Sequence, residues 1–357
     1  MENLVNMEAM WRDYGLNKLE AQLHGLFPEV SFSLQEILEQ VLRGDILSAL
    51  SGLLRPVVGG AAAQLTGMRN ILVWLVVLGI VSALMTHFIE IFDRHQIADV
   101  GFYFMYLLLT AVLLECFSRA AQTAAATLES LVLFMKMLVP TFLVSVGAAA
   151  GATTVTAYYQ LLLLLIFGVE SLLAGAVLPL VYSYILLAVV NGVWIEEKLS
   201  LVMDLMEKGI CGALKLSIGL VTGISVFQAL ITPVIDSVRA ATFRKILSAI
   251  PGIGDAAEGV VKLVAGSAMV VKNSIGVVML ILLIVLCAAP LLQIFCTACL
   301  LKVAAAFMGM VSDSRITSCT NKVGEGSMLL FRATATALFL FLIVISIVAT
   351  ATNRGIS

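Results

Sequence analysis

Charge is what this sequence has least of. Lys and Arg number 21 and Asp and Glu 23, together 12% of 357 residues, where a soluble domain needs roughly a quarter to cover its surface. That shortage excludes an ordinary soluble globule. The net charge of −2, with no cluster of Lys and Arg, argues against a nucleic-acid partner. Cysteine is sparse and scattered: Cys116, Cys211, Cys287, Cys296, Cys299 and Cys319. Cys296 and Cys299 have C-x-x-C spacing inside an apolar run, with no second pair or nearby His. A metal site needs about four ligands and a redox pair needs polar access, so these read as small packing residues. There is no Walker motif, nucleophile elbow or H-E-x-x-H, and neither an enzyme nor a cofactor is expected. The opening "MENLVNMEAMWRDYG" shows neither the basic n-region nor the short apolar run of a signal peptide.

What is present is hydrophobicity in blocks. Apolar residues make up 61% of the chain, and several runs approach the ~20 residues that cross a bilayer as helix. Solid runs such as "YYQLLLLLIFGV" fit helices, which satisfy their own backbone hydrogen bonds, and not the alternating segments of a barrel. The expected fold is an all-α polytopic membrane protein with about eight transmembrane helices. They fall near 70–92, 101–121, 155–175, 178–195, 209–231, 271–289, 290–310 and 327–350. Pro179 and Pro290 separate pairs of spans with almost no loop, so each pair is a tight hairpin or a kinked helix. Before the spans, residues 1–69 form a polar amphipathic segment. In "SLQE", Ser33 precedes Glu36 by three residues, a capping box, and Ile37, Val41, Leu42, Ile46, Leu50 and Leu53 follow at helical spacing. This helix either lies on the membrane surface or packs on the bundle.

The layout points to a duplication. Pro140 and Pro251 are 111 residues apart (251 − 140), as are Pro179 and Pro290 (290 − 179). "VLPLV" aligns with "AAPLL" at this offset, and Asn191 with Lys302. With three spans per copy the copies would be inverted, as in transporter-like architectures. The resulting divisions are 1–69, a two-helix membrane hairpin at 70–121, a first repeat at 122–231 and a second at 232–357.

In "AIPGIGDAAEG", Gly252, Gly254 and Ala257 spell G-x-G-x-x-A. A dinucleotide fingerprint must follow a buried strand, whereas "VIDSVRAATFRKILSAI" upstream is an amphipathic helix. Pro251 ends that helix, and Gly252 and Gly254 permit a reversal. The element is a helix break, matched at Pro140 by "LVPTFLVSVGAAAG". Such a pair is either two interfacial loops or two re-entrant elements lining a pathway. Charges within spans carry more weight, each costing about 2.5–3.5 kcal/mol at mid-membrane on insertion scales. Glu170 in "LLIFGVESLLAG" is the clearest and Lys302 in "ACLLKVAAAF" the next. Glu170, Asn191 and Lys302 are the candidate intramembrane polar residues, serving either as internal ties of the bundle or as part of a conduit. Gly147-x-x-x-Gly151 and Gly219-x-x-x-Gly223 suit close helix contact.

The sequence resembles the stage III sporulation protein AE family of endospore-forming bacteria. The resemblance rests on "AIPGIGDAAEGVVKLVAGSAMVVKNSIGVV", "AAPLLQIF", "MGMVSDSRITSCTNKVGEG" and the polar lead-in "VSFSLQEILEQVLRGD", and covers roughly Phe27 to Asn353. Members of that family usually begin with an export signal, and none is visible here. The resemblance implies a non-enzymatic subunit of the channel or feeding complex between mother cell and forespore, forming or lining its pore in the mother-cell (outer forespore) membrane. It implies as partners the other stage III A-operon proteins, among them a secretion-type ATPase and ring-forming components, and the stage II sporulation protein Q. Two further readings stay open: an independent secondary transporter, supported by an inverted repeat and Glu170, and a pure membrane scaffold.

Overall fold

The computed structural model describes residues 33–43, 95–150, 152–193, 198–247, 254–310 and 312–351, with scattered positions before residue 85. Within its helices the side chains at 95–99, 141–159, 225–247, 254–273 and 347–351 are not described. Among the described residues there is no strand. A short helix, α1 (Leu34–Leu42), is followed by α2 (His95–Ala150) and α3 (Ala152–Leu172). A π-helical segment (Leu173–Val177) joins α3 to α4 (Leu178–Val193). Then come α5 (Ser200–Leu247), α6 (Gly254–Met308) and α7 (Ser314–Ala351). Among the described residues four stretches are long and apolar enough to cross a membrane: Val100–Pro140, Gln160–Val193, Ser274–Met308 and Ser314–Ser346. The chain is an all-helical, multi-pass membrane protein.

The N-cap half of the expected capping box forms. Ser33 N-caps α1, its Oγ accepting from the Glu36 N–H at 3.4 Å. Leu34, Ile37, Leu38 and Val41 make the buried face, and α1 packs against α6, which selects the bundle over the membrane surface for this helix.

The centre of the bundle is α7, which contacts α2, α3, α4, α5 and α6 and shares its largest interface with α6. Its buried residues Ile316, Thr320, Val323, Ser327, Leu330, Thr334, Ala337, Phe341 and Val344 alternate steps of four and three, the spacing that keeps one seam facing its neighbours in long helix contacts. Every seventh position, Thr320, Ser327 and Thr334, is a fully buried hydroxyl. Each donates to the carbonyl four residues back, at Ile316, Val323 and Leu330 (2.8, 3.0 and 2.9 Å). These small side chains are therefore satisfied within α7 and allow close packing without orphaned polar atoms.

Several expectations need correction. No hairpin forms at Pro179 or Pro290: the spans expected at 155–175 and 178–195 lie on one continuous α3–π–α4 rod, and those at 271–289 and 290–310 lie on α6. At Pro179 the reason is local. The π turn already shifts the bonding register, with the Leu178 N–H reaching the Leu173 carbonyl, and so absorbs the donor that proline lacks. Pro140, expected to break a helix, sits inside α2, which continues to Ala150; surrounding protein makes an interior proline tolerable in membrane helices. Pro251 and Gly252 lie outside the described residues, α5 ends at Leu247, and Gly254 is the first residue of α6. The expected span at 70–92 lies largely outside the described residues. The divisions expected after 121 and 231 fall inside α2 and α5. Among the described residues, nothing lies within 4 Å of a Cβ built at Gly219 or Gly223.

The merged spans also leave the inverted orientation expected of the repeat unsupported. Shifted by 111, Ala152 falls at 263, within α6, and Ser200 falls at 311, beside the start of α7. Each copy then contributes two rods, and an even number returns the second copy the same way up. Contacts agree: Asp204 lies 3.5 Å from Lys322 and Glu207 3.9 Å from Arg332, so α5 and α7 run in the same direction. The contacts thus give the inverted arrangement no support.

Candidate functional site: a charge cluster on the central helix

The segment "TNKVGEG" (320–326) follows the first turns of α7. Helical spacing puts Asn321, Lys322 and Glu325 on neighbouring positions, one turn apart. Asn321 Nδ2 donates to Glu325 Oε1 at 3.2 Å, and Lys322 Nζ lies 3.1 Å from Glu325 Oε2. From α4, the fully buried Tyr184 donates its hydroxyl to Glu325 Oε2 at 2.9 Å. From α5, Asp204 receives Lys322 at 3.5 Å. One turn and more further along, Arg332 donates to Cys211 Sγ at 3.3 Å and pairs with Glu207. Lys322 and Glu325 are each about four-fifths buried, with 23% and 21% of their side chains exposed.

The two glycines around Glu325 bring the helices this close. A Cβ at Gly326 would collide with the side chain of Ile185 on α4, and one at Gly324 would lie 3.0 Å from Lys302 Cγ and 3.3 Å from the Lys302 backbone nitrogen on α6. Glycine here serves as the absence of a side chain, which lets α4 and α6 approach on either side. The carboxylate is held by three donors on two helices, and Lys322 sits between carboxylates of α5 and α7. Such an arrangement ties helices together and places ionisable groups inside the bundle. Among the described residues no group of three or more His, Cys, Asp and Glu gathers as a metal would require.

A second node lies toward the start of α7. Tyr106 of α2 donates to the Val189 carbonyl of α4 at 2.7 Å, and its ring fills the space left by Gly192, where a Cβ would collide with the hydroxyl. Phe102 stacks on Tyr106 at 5.9 Å, and the Arg315 guanidinium lies 3.6 Å from the Phe102 centroid, a cation–π geometry.

The three candidate polar residues lie in three separate places. Asn191 is buried, and its Oδ1 accepts the Leu199 N–H at 2.9 Å, closing the chain between α4 and α5. Lys302 is exposed at its head, with its stem along Gly324 at the border of the charge cluster. Glu170 pairs with Lys136 of α2 at 2.9 Å, with 38% and 45% of the two side chains exposed. Side chains on a helix lean toward its N-terminus, so on the antiparallel α2 and α3 these two reach toward each other along the bundle. The Asp204–Tyr184–Lys322–Glu325 constellation escapes the sequence reading because 196–208 and 311–326 look like polar connections. The signal that could have found it is the helical spacing of Asn321, Lys322 and Glu325, running without proline into the final apolar block.

The family model described as stage III sporulation protein AE matches residues 32–352. A relative, the stage III sporulation protein AE of Bacillus subtilis (strain 168), is 21% identical over 338 residues, covering 94% of this chain and 84% of its own. No solved structure matches.

Proposed function

The chain belongs to the stage III sporulation protein AE family, and from that premise we propose that it is a non-enzymatic membrane subunit of the mother cell–forespore conduit, forming or lining its pore. It resides in the mother-cell (outer forespore) membrane and works with the other stage III A-operon proteins, including the secretion-type ATPase and the ring-forming components, and with stage II sporulation protein Q. One observation carries the reading: membrane-length helices enclose a charge cluster centred on Glu325, joined to Tyr184, Asn321 and Lys322. Charged groups buried among apolar helices are costly and mark ion or solute pathways more often than ordinary packing does. The secondary-transporter reading drew on an inverted repeat, which the parallel α5 and α7 do not supply.

The test compares Glu325→Gln and Glu325→Ala in sporulating cells, scoring heat-resistant spores beside the amount of protein in the membrane. A role in the conduit predicts that Ala lowers the spore count while the protein still accumulates, with Gln less severe because it keeps a hydrogen-bonding oxygen. Normal spore counts from both variants would refute it. Reconstitution of the purified chain in liposomes addresses the transporter: solute uptake without any partner would replace the subunit reading.

A further inference from the structure

One face of α2 is out of place in a membrane. Glu115, Arg119, Gln122, Ala126, Glu129, Leu133 and Lys136 are all exposed and succeed one another by steps of four and three. Toward the start of α2 the exposed residues are apolar: Tyr103, Phe104, Leu107, Leu108 and Leu114. From Glu115 to Lys136 five of the seven stripe residues are polar or charged, with Ala126 and Leu133 between them, over about 32 Å at 1.5 Å per residue, close to the ~30 Å of a bilayer core.

Its depth is set by the neighbouring helices. Arg315 lies over Phe102 and Cys319 against Tyr106, both 213 residues apart (315 − 102 and 319 − 106), so α2 and α7 run side by side in the same direction. That register carries Gln122 to the level of Ala335 and Glu129 to that of Leu342, alongside the block "LLFRATATALFLFLIVI" of α7, with Lys136 level with Ala349 just past its end. Phe117 meets Tyr182 of α4 edge-on at 6.0 Å, and Lys136 meets Glu170 of α3, which keeps the stripe beside the apolar α3–α4 rod as well. Charges on the outside of a bundle at this depth cannot face lipid tails. Four of these charges are already matched, Glu115 with Arg119 at 2.7 Å and Lys136 with Glu170 at 2.9 Å within the chain. Paired charges left half in the open need water.

We infer that this stripe is a wetted wall: copies of the chain set their α2 faces around a common axis and enclose a water-filled passage lined by Glu115, Arg119, Gln122, Glu129 and the Lys136–Glu170 pair. The step of 3.5 residues holds the stripe on one side of α2 for its full length, as parallel helices sharing an axis require. Copies in one membrane share their orientation, so each charge recurs as a ring, the construction that sets ion preference in membrane pores. This inference deepens the conduit reading and rests on it.

The test uses the full chain in proteoliposomes, with single additions Gln122→Cys, Ala126→Cys and Glu129→Cys on the stripe. Controls are Leu164→Cys, Leu216→Cys and Phe339→Cys, exposed apolar positions on α3, α5 and α7. A membrane-impermeant maleimide should label the stripe roughly tenfold or more faster than the controls, since thiol reactivity tracks aqueous access. A short bis-maleimide should join Ala126→Cys chains into covalent dimers. Equal labelling of stripe and controls would overturn the inference, and so would an unlabelled stripe. Labelling without cross-linked dimers would overturn the second copy as the enclosing wall. If the stripe stays unlabelled while Glu325→Ala still blocks sporulation, the conduit reading stands and this one falls.

Discussion

Gly192 and Tyr106 illustrate how tightly single positions are set. The Tyr106 ring occupies the volume that a methyl at Gly192 would need, and its hydroxyl is bonded to Val189. Gly192→Ala is expected to cost about 1–3 kcal/mol, the usual range for overpacking, and to lower the thermal unfolding midpoint of the detergent-solubilised chain. Adding Tyr106→Phe, which removes the hydroxyl that the new methyl meets first, should recover part of that loss; a double variant no better than the single one would mean that the collision is not the cause. Glu325 makes the complementary case. Removing it strands the Tyr184 hydroxyl and takes one of the two carboxylates from Lys322, and a buried donor left alone costs about 1–3 kcal/mol. Glu325→Ala should therefore unfold at lower temperature than Glu325→Gln, and the reverse order would contradict the hydrogen-bond arrangement.

At the scale of elements, the prolines separate two pictures of the same residues. If Pro290 sat in a hairpin turn, replacing it by Ala would loosen the turn and lower stability. Within the continuous α6, an interior proline forfeits a hydrogen bond at a cost of about 3 kcal/mol, part of which its neighbours already offset. Pro290→Ala should then leave the unfolding midpoint unchanged or raise it. The same contrast shows what could be seen in advance. Apolar runs of membrane length, the Ser33 cap and the helical class of the described residues were legible because hydropathy and capping act over a few residues. The merging of 155–175 with 178–195 was not, because it depends on a π turn at Leu173–Val177, which has no composition of its own. The polar starts of α5 and α7 were hidden for another reason. Asp204 meets Lys322, and Tyr184 meets Glu325, only across helices, and a single segment read alone looks like a solvated loop. Glu170 stood out in the sequence as a charge among leucines, but its partner Lys136 lies 34 residues earlier, on a stretch that looked like a connection.

At the scale of the molecule, direction is the property to test. Asp204 beside Lys322 requires α5 and α7 to run the same way. The pair Asp204→Cys and Lys322→Cys should be joined by a short bis-maleimide in intact membranes, yielding a shifted band on a gel; an inverted arrangement would put the two thiols on opposite sides and give none. The central place of α7 also has a consequence in time. Every other long helix precedes it along the chain, and all of them contact it. During synthesis α2 to α6 enter the membrane around a slot that the chain has yet to fill. Until α7 emerges from the ribosome, Tyr184 and Asp204 have no Glu325 or Lys322 to meet, and the nascent protein must be kept open by lipid or by a helper.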